Sequence, residues 1–332
     1  WGADQIIRQD PGVREASFKM LRPLLQETND VLRAAAAKVA GERLDTGAAV
    51  RLRELLSDSS PRVQYFSILA LAQLKNVDAF QQVVDLLAFA DNKDPALRHA
   101  GVVYLASLRD PVKIAALHKH SSESVRRAAV VALRRLKTKD ISVFLSDRSN
   151  LVVMEAARAI HDEPIPSAIN VLADMINVSD GSKELLRRVL NANYRQGTAD
   201  SAEKLAAFAS RESALPEMRV EALEMLGQWE KPDPRDRVLN AYRPLVDRNG
   251  VVAKKALEPH IDSLITAPEL VREKAIEVAS RLGFSGIAPV LVNRVSDTSL
   301  SPSARAVSLA ALNRLNPTSA VALAKQVKLK VR

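Results

Sequence analysis

One stripe of small or apolar residues recurs along this chain, at offsets of 4, 7, 8 and 11 from a starting residue. That is the spacing of one face of a 3.6-residue helix. Val125, Ala129, Ala132, Leu133 and Leu136 show it, as do Leu97, Gly101, Tyr104, Leu105 and Leu108. Further starts fall at Val13, Leu32, Val63, Val152, Leu186, Met218, Val271 and Ala304, and a poor one at Val252. Each start predicts a helix that buries one stripe.

Polar and proline residues punctuate the pattern. Asp10-Pro11, Ser60-Pro61, Asp94-Pro95, Ser121-Ser122, Leu215-Pro216, Ala267-Pro268 and Ser301-Pro302 precede their stripes. Proline at a first helical position forfeits no hydrogen bond, and Asp or Ser before it can accept from the exposed amides. Between stripes lies a second apolar segment, as in 77–91, 165–176 and 201–210. The repeating unit is therefore a helix hairpin. Most starts are roughly 27 to 34 residues apart, the period of helix-pair solenoids. The separations Val13 to Leu32 and Val252 to Val271 are only about 19 residues, so both helices of those hairpins carry the stripe. The phase is irregular over 249–283, where Pro259 should bend or end a helix.

These elements define an all-α chain, an α-solenoid of stacked helix hairpins with on the order of ten repeats. No hairpin can bury its stripe alone, so stacking predicts a single solenoid over 1–332. Composition agrees: among 332 residues 47% are hydrophobic but only 4% aromatic. The opening on Trp1 and the closing helical pattern at 317–330, with no following partner, give the expectation of a fragment of a longer chain.

The stripes with Asp-Pro openings, DPGVREA at 10–16 and DPALRHA at 94–100, resemble the HEAT-repeat family, particularly its short bacterial type. The resemblance runs through nearly the whole chain and implies the solenoid fold.

Charge and cysteine content narrow the chemistry. The formal net charge is +9, which permits nucleic acid, anionic surfaces or acidic proteins as partners. Cysteine is absent, which removes disulfides, thiolate metal sites, covalent c-type haem attachment and cysteine nucleophiles. No apolar run approaches a membrane span, so this segment is not expected to insert. His118 and His120 are two apart and diverge on a helix, and no metalloprotease, phosphate-loop or serine-elbow motif occurs. Catalytic, cofactor and metal residues are therefore expected to be none.

Arginine follows most starts: Arg14, Arg33, Arg98, Arg126, Arg187, Arg219, Arg272 and Arg305. Stacked, they would form a ladder, either binding phosphates or pairing with acids of the same or next repeat, such as Asp94, Glu217 or Glu269. Basic doublets single out Arg126, Arg127, Arg187 and Arg188, with Tyr194, as candidate partner-binding residues. In NANYRQG (191–197), Asn193 and Tyr194 occupy offsets 7 and 8, where other copies are apolar. Asn193 is expected to be a buried structural anchor bonded to backbone of a neighbouring inter-helix loop, with Asn191 and Arg195 facing elsewhere. Gly197 should end that helix.

The stretches 155–169, 188–209 and 219–245 resemble the HEAT region of large bacterial multidomain proteins described as membrane-bound dehydrogenase-like or haem-binding. That resemblance covers a quarter to a third of the chain. It implies an exported, periplasmic redox parent, with this segment as a non-enzymatic spacer or docking scaffold for a protein partner or flanking domains. A basic nucleic-acid-binding solenoid is the alternative, and a pigment- or cofactor-handling lyase has only the fold in its favour.

Overall fold

The computed structural model describes residues 14–177 and 181–326, with the side chain of Arg14 excepted. Val13, the opening DPGV, Lys328, Lys330 and Arg332 lie outside them. The described chain is helical throughout except for short connections and one longer excursion. It forms two compact units, 1–168 and 169–332.

The first unit contains α1 (Arg14–Leu21), α2 (Asp30–Glu42), α3 (Ala49–Glu54), α4 (Pro61–Gln73), α5 (Phe80–Ala90), α6 (Pro95–Ser107), α7 (Pro111–Ala115), α8 (Glu123–Leu136) and α9 (Asn150–Asp162). The long helices α2, α4, α6, α8 and α9 pack on one another in order and form one layer. Their short partners, many tightening into 3-10 turns such as Leu55–Ser57 and Lys139–Ser146, form the other. Stripe residues of the long helices fill the space between, Val63, Leu71, Val125, Leu133 and Ile160 among them. Gly41 permits the close approach of α2 and α4, since a Cβ there would stand 2.5 Å from the Cα of Ala70.

The second unit contains α10 (Ile169–Asp174), α11 (Lys183–Gln196), α12 (Ala199–Ser210), α13 (Pro216–Gly227), α14 (Gly250–Leu257), α15 (Ile261–Ile265), α16 (Glu269–Arg281), α17 (Ala288–Ser296), α18 (Pro302–Leu315) and α19 (Pro317–Gln326). Here α11, α13, α16 and α18 form the second-helix layer. The two short separations in the sequence now have a cause. The helix α14 packs on α12, a first helix, so the poor stripe at Val252 belongs to the first-helix layer. Pro259 ends that helix and starts the 3-10 turn Glu258–His260. At the chain start α1 likewise precedes the second helix α2.

Helix starts follow the anticipated chemistry in part. The Asp94 carboxylate accepts from the amides of Ala96 and Leu97 at 2.8 and 3.0 Å, and Ser301 caps Ala304 at 3.1 Å. Ser60 does not cap: its hydroxyl donates to Asp30 of the preceding second helix. Pro268 is itself the residue before its helix, which begins at Glu269. Helix ends share a second signature. One or two residues past a second helix the backbone takes a left-handed conformation, at Leu44, Lys75, Arg109, Lys137, Gly197 and Gly283. Where the next amide reaches back, as Asp45 to the Ala40 carbonyl and Asn76 to that of Leu71, the last turn is closed.

Candidate functional site

The arginine row is a set of struts. Arg33 donates through Nε and Nη2 to Asp58 at 2.8 and 2.9 Å, and through Nη1 to the carbonyls of Glu27 and Thr28. Asp58 in turn accepts from the Ser60 amide, and Ser60 returns to Asp30. The same circuit recurs three hairpins on. Arg126 donates to Asp147 and to the carbonyls of His120 and Ser121. Asp147 accepts from the Ser149 amide, and Ser149 donates to Glu123. Each rung thus ties a second helix to its own preceding turn and to the next one. The acids are Asp58 and Asp147; Asp94 caps its own helix and Glu217 pairs with Lys183.

Arg126 is buried with its carboxylate, the two side chains 3% and 2% exposed, so it presents no charge to a partner. Burial would raise the Asp58 carboxyl, but the Arg33 hydrogen bonds and the Ser60 amide more than offset it and hold it below its ordinary value. Arg219 and Arg305 make carbonyl contacts instead, with Ala209 and Val295.

At α6 the arginine is present but the rung is not. His120 stands where Asp58 and Asp147 stand, two residues before the serine that precedes the helix, and its Nδ1 accepts from the Ser122 amide at 3.1 Å. Among the described residues Arg98, which should meet a carboxylate there, pairs with none. It lines an open groove of about 440 Å³ across α6 and α8, together with His99, Val102, Arg127, Val131 and Arg135. Glu155 of α9 stands at one side.

In the second unit the corresponding helix face is covered. Residues 228–249 leave the helical register between α13 and α14 and lie against α11 and α13. Asp236, with a fully buried carboxylate, holds them. Its Oδ2 accepts from Asn191 at 3.1 Å, Arg195 at 3.2 Å and Arg243 at 3.4 Å, while Oδ1 accepts from the amides of Val238 and Leu239. Arg187 bonds Glu221 and the Arg237 carbonyl, and Arg237 bonds Gln228 and Glu224. Burial lowers the Arg195 guanidinium, the Arg243 charge adds to this, and Asp236 opposes both.

Tyr194 is 3% exposed. Its hydroxyl donates to the Gln228 carbonyl at 2.9 Å, and its ring meets the Trp229 ring edge-on at 6.0 Å. The Arg248 guanidinium lies over both rings, and Gly197 makes room for it, since a Cβ there would stand 2.7 Å from Arg248 Cζ. Burial raises the Tyr194 hydroxyl.

Asn193 is fully buried, and Nδ2 donates to the carbonyls of Ala173 and Val189 at 2.8 and 3.0 Å. Of the residues singled out in the sequence, Arg126 and Tyr194 are internal, and Arg188 is 9% exposed with Nη1 on the Glu184 carbonyl. Arg187 is tied to the excursion, and Arg127 alone stands in the open groove. Asn191 and Arg195 do face away from the stripe, but into Asp236 rather than solvent. The sequence reading passed over the excursion as a clamp. Its signal was present in Lys231-Pro232-Asp233-Pro234 and Pro244, a density of prolines no helix accommodates.

Among the described residues no cluster of His, Asp and Glu is arranged to hold a metal ion, and no helix is long and apolar enough to cross a membrane.

Among known proteins, the family model for HEAT repeats matches residues 18–106. An engineered protein of known structure is 17% identical, covering 94% of this chain and 92% of its own, with a TM-score of 0.42. The complex of CpcE and CpcF of phycocyanin lyase from Nostoc sp. PCC7120 is 18% identical, covering 73% and 94%, with a TM-score of 0.33. YibA of E. coli is 18% identical, covering 80% and 91%, with a TM-score of 0.34. No curated protein matches.

Proposed function

We propose that this chain is a non-enzymatic interaction and spacer scaffold, acting over 1–332 on a protein partner or on flanking domains of a longer parent. The observation that carries the reading is the duplicated rung at Arg33–Asp58 and Arg126–Asp147. It spends guanidinium charge on fixing one hairpin to the next, which is what a spacer of defined geometry requires. The same observation weighs against the nucleic-acid alternative, because Arg33, Arg126 and Arg187 of the row are paired with carboxylates inside the fold.

The exported redox parent is the finer part of the reading. It is supported by the stretches 188–209 and 219–245, which carry the narrower resemblance and meet in the Asp236 clamp. The test is capture of the chain by the neighbouring segments of its own full-length reading frame. Binding to a flanking domain is expected. Absence of contact with every flanking segment would count decisively against a scaffold, and a frame with no redox domain beside this segment would remove the redox parent.

A further inference from the structure

The missing rung at His120 leaves a cation with nothing to do inside the fold. Arg33 and Arg126 each end on an aspartate of the next turn, whereas the residue at that place in the turn after α6 is His120, whose Nδ1 is an acceptor for the Ser122 amide. Arg127 and Arg135 line the same groove and likewise pair with no carboxylate among the described residues. Val102, Ala128 and Val131 supply apolar lining in the same groove, beside His99 and the Glu155 carboxylate.

We propose that this groove across α6 and α8 docks an acidic protein segment, its carboxylates on Arg98, Arg127 and Arg135 and an apolar side chain on the valines. Arginine suits this role, since its planar fork matches a carboxylate bidentately and its face tolerates apolar neighbours. The charge is local. At the equivalent positions α4 offers Gln64, Tyr65 and Gln73, and α9 offers Val153, Met154 and Asp162. A nucleic-acid duplex presents a charge about every 1.7 Å along its axis and calls for a longer unbroken cationic track. A short acidic segment with an apolar anchor fits the two-helix extent and the valines together. The inference rests on the interaction-scaffold reading and gives that partner its chemistry.

The test uses the full chain and fluorescence anisotropy with three labelled probes: a short peptide of glutamate and leucine, its counterpart with glutamine for glutamate, and a short DNA duplex. Two variants separate the outcomes, R98Q/R127Q, which deletes two of the three cations, and His120→Asp, which offers Arg98 a carboxylate in the next turn without substituting a groove residue. Circular dichroism confirms that each is folded. The acidic peptide should bind with affinity that falls with salt, at least tenfold weaker in R98Q/R127Q and several-fold weaker in His120→Asp, and the glutamine peptide should bind weakly. Equal binding by wild type and R98Q/R127Q, or no binding of the acidic peptide, would overturn the groove. Tighter binding of the duplex, lost in R98Q/R127Q, would overturn the acidic segment in favour of nucleic acid. Retained capture of flanking domains alongside a negative peptide result would sink the groove alone and leave the scaffold standing.

Discussion

Asn193 shows how a single misfit in an apolar register becomes an anchor. Its amide nitrogen serves two carbonyls, that of Ala173 across the hairpin and that of Val189 one turn back. The Val189 carbonyl sits within a helix, but the Ala173 carbonyl near the end of α10 depends more on the side chain. Replacing Asn193 with Leu is therefore expected to lower stability by about 1–3 kcal/mol despite the added apolar surface, read as a reduced urea midpoint. Unchanged or increased stability would refute the anchor. Asn193→Asp should be worse still, because a carboxylate would face two carbonyls.

At the Arg33–Asp58 rung the residue scale sets a pH dependence. The folded carboxyl lies below its ordinary value of 3.8. Its contribution is complete above that value and disappears as the pH falls through the lower folded value. The stability difference between wild type and Asp58→Asn should be constant from neutral pH down to about pH 5 and shrink below pH 4. A difference that persists at pH 2 would show that the charge plays no part. These two residues also mark what the sequence disclosed. The burial of Asn193 was legible, because a polar residue in a strict apolar register has few alternatives, but its partners were not: both carbonyls belong to helices, α10 and α11, and not to the inter-helix loop expected. The rung was legible only as a type, since which acid meets which arginine depends on the offset between stacked hairpins, and spacing within one helix does not determine that.

The elements differ in how much of them a periodic pattern reveals. Long second helices announce themselves by their stripe, whereas first helices such as α3 and α7 are short and dissolve into 3-10 turns, leaving too few residues for a period to register. The left-handed residues that close the second helices were invisible except at Gly197 and Gly283, because Leu44, Lys75, Arg109 and Lys137 carry no mark of the conformation. They hold it because the hydrogen bonds of the helix end and the stacking beyond it prescribe the turn, and the cost of φ above zero is carried by the packing. Lys75 is exposed at φ +50°, so Lys75→Gly should relieve that cost while losing little contact. The expected gain is about 0.5–1 kcal/mol in chemical denaturation, with the helix content unchanged. A loss would mean that the side chain, not the backbone, holds the turn.

At the scale of the molecule, stability in stacked hairpins is a sum of local terms and nearest-neighbour interfaces, so a lesion should be felt only nearby. Asp236 offers a sharp case. Converting it to Asn leaves Arg195 and Arg243 beside a neutral amide in a site that excludes solvent, at a cost on the order of 3 kcal/mol. Hydrogen exchange should then quicken in 228–249 and in α11 and α13, while α2, α4 and α6 keep their protection. Faster exchange throughout the first unit would contradict nearest-neighbour behaviour. The clamp also accounts for what sequence reasoning missed at this scale. Repeats are found by self-similarity, and a segment inserted once, with no second copy, gives such a search nothing to match.

That excursion leaves α13 stacked on α16 as directly as α16 on α18, although 228–249 and two short helices intervene in the chain. The joint between those hairpins is therefore indifferent to how much polypeptide loops out of it, and closing a longer loop costs only about 0.6 kcal/mol per doubling of length. Evolutionarily, such a joint is a port. New sequence can be admitted there, tried as a cover, a hook or a ligand, and discarded again, while the stack on either side remains a finished piece of architecture.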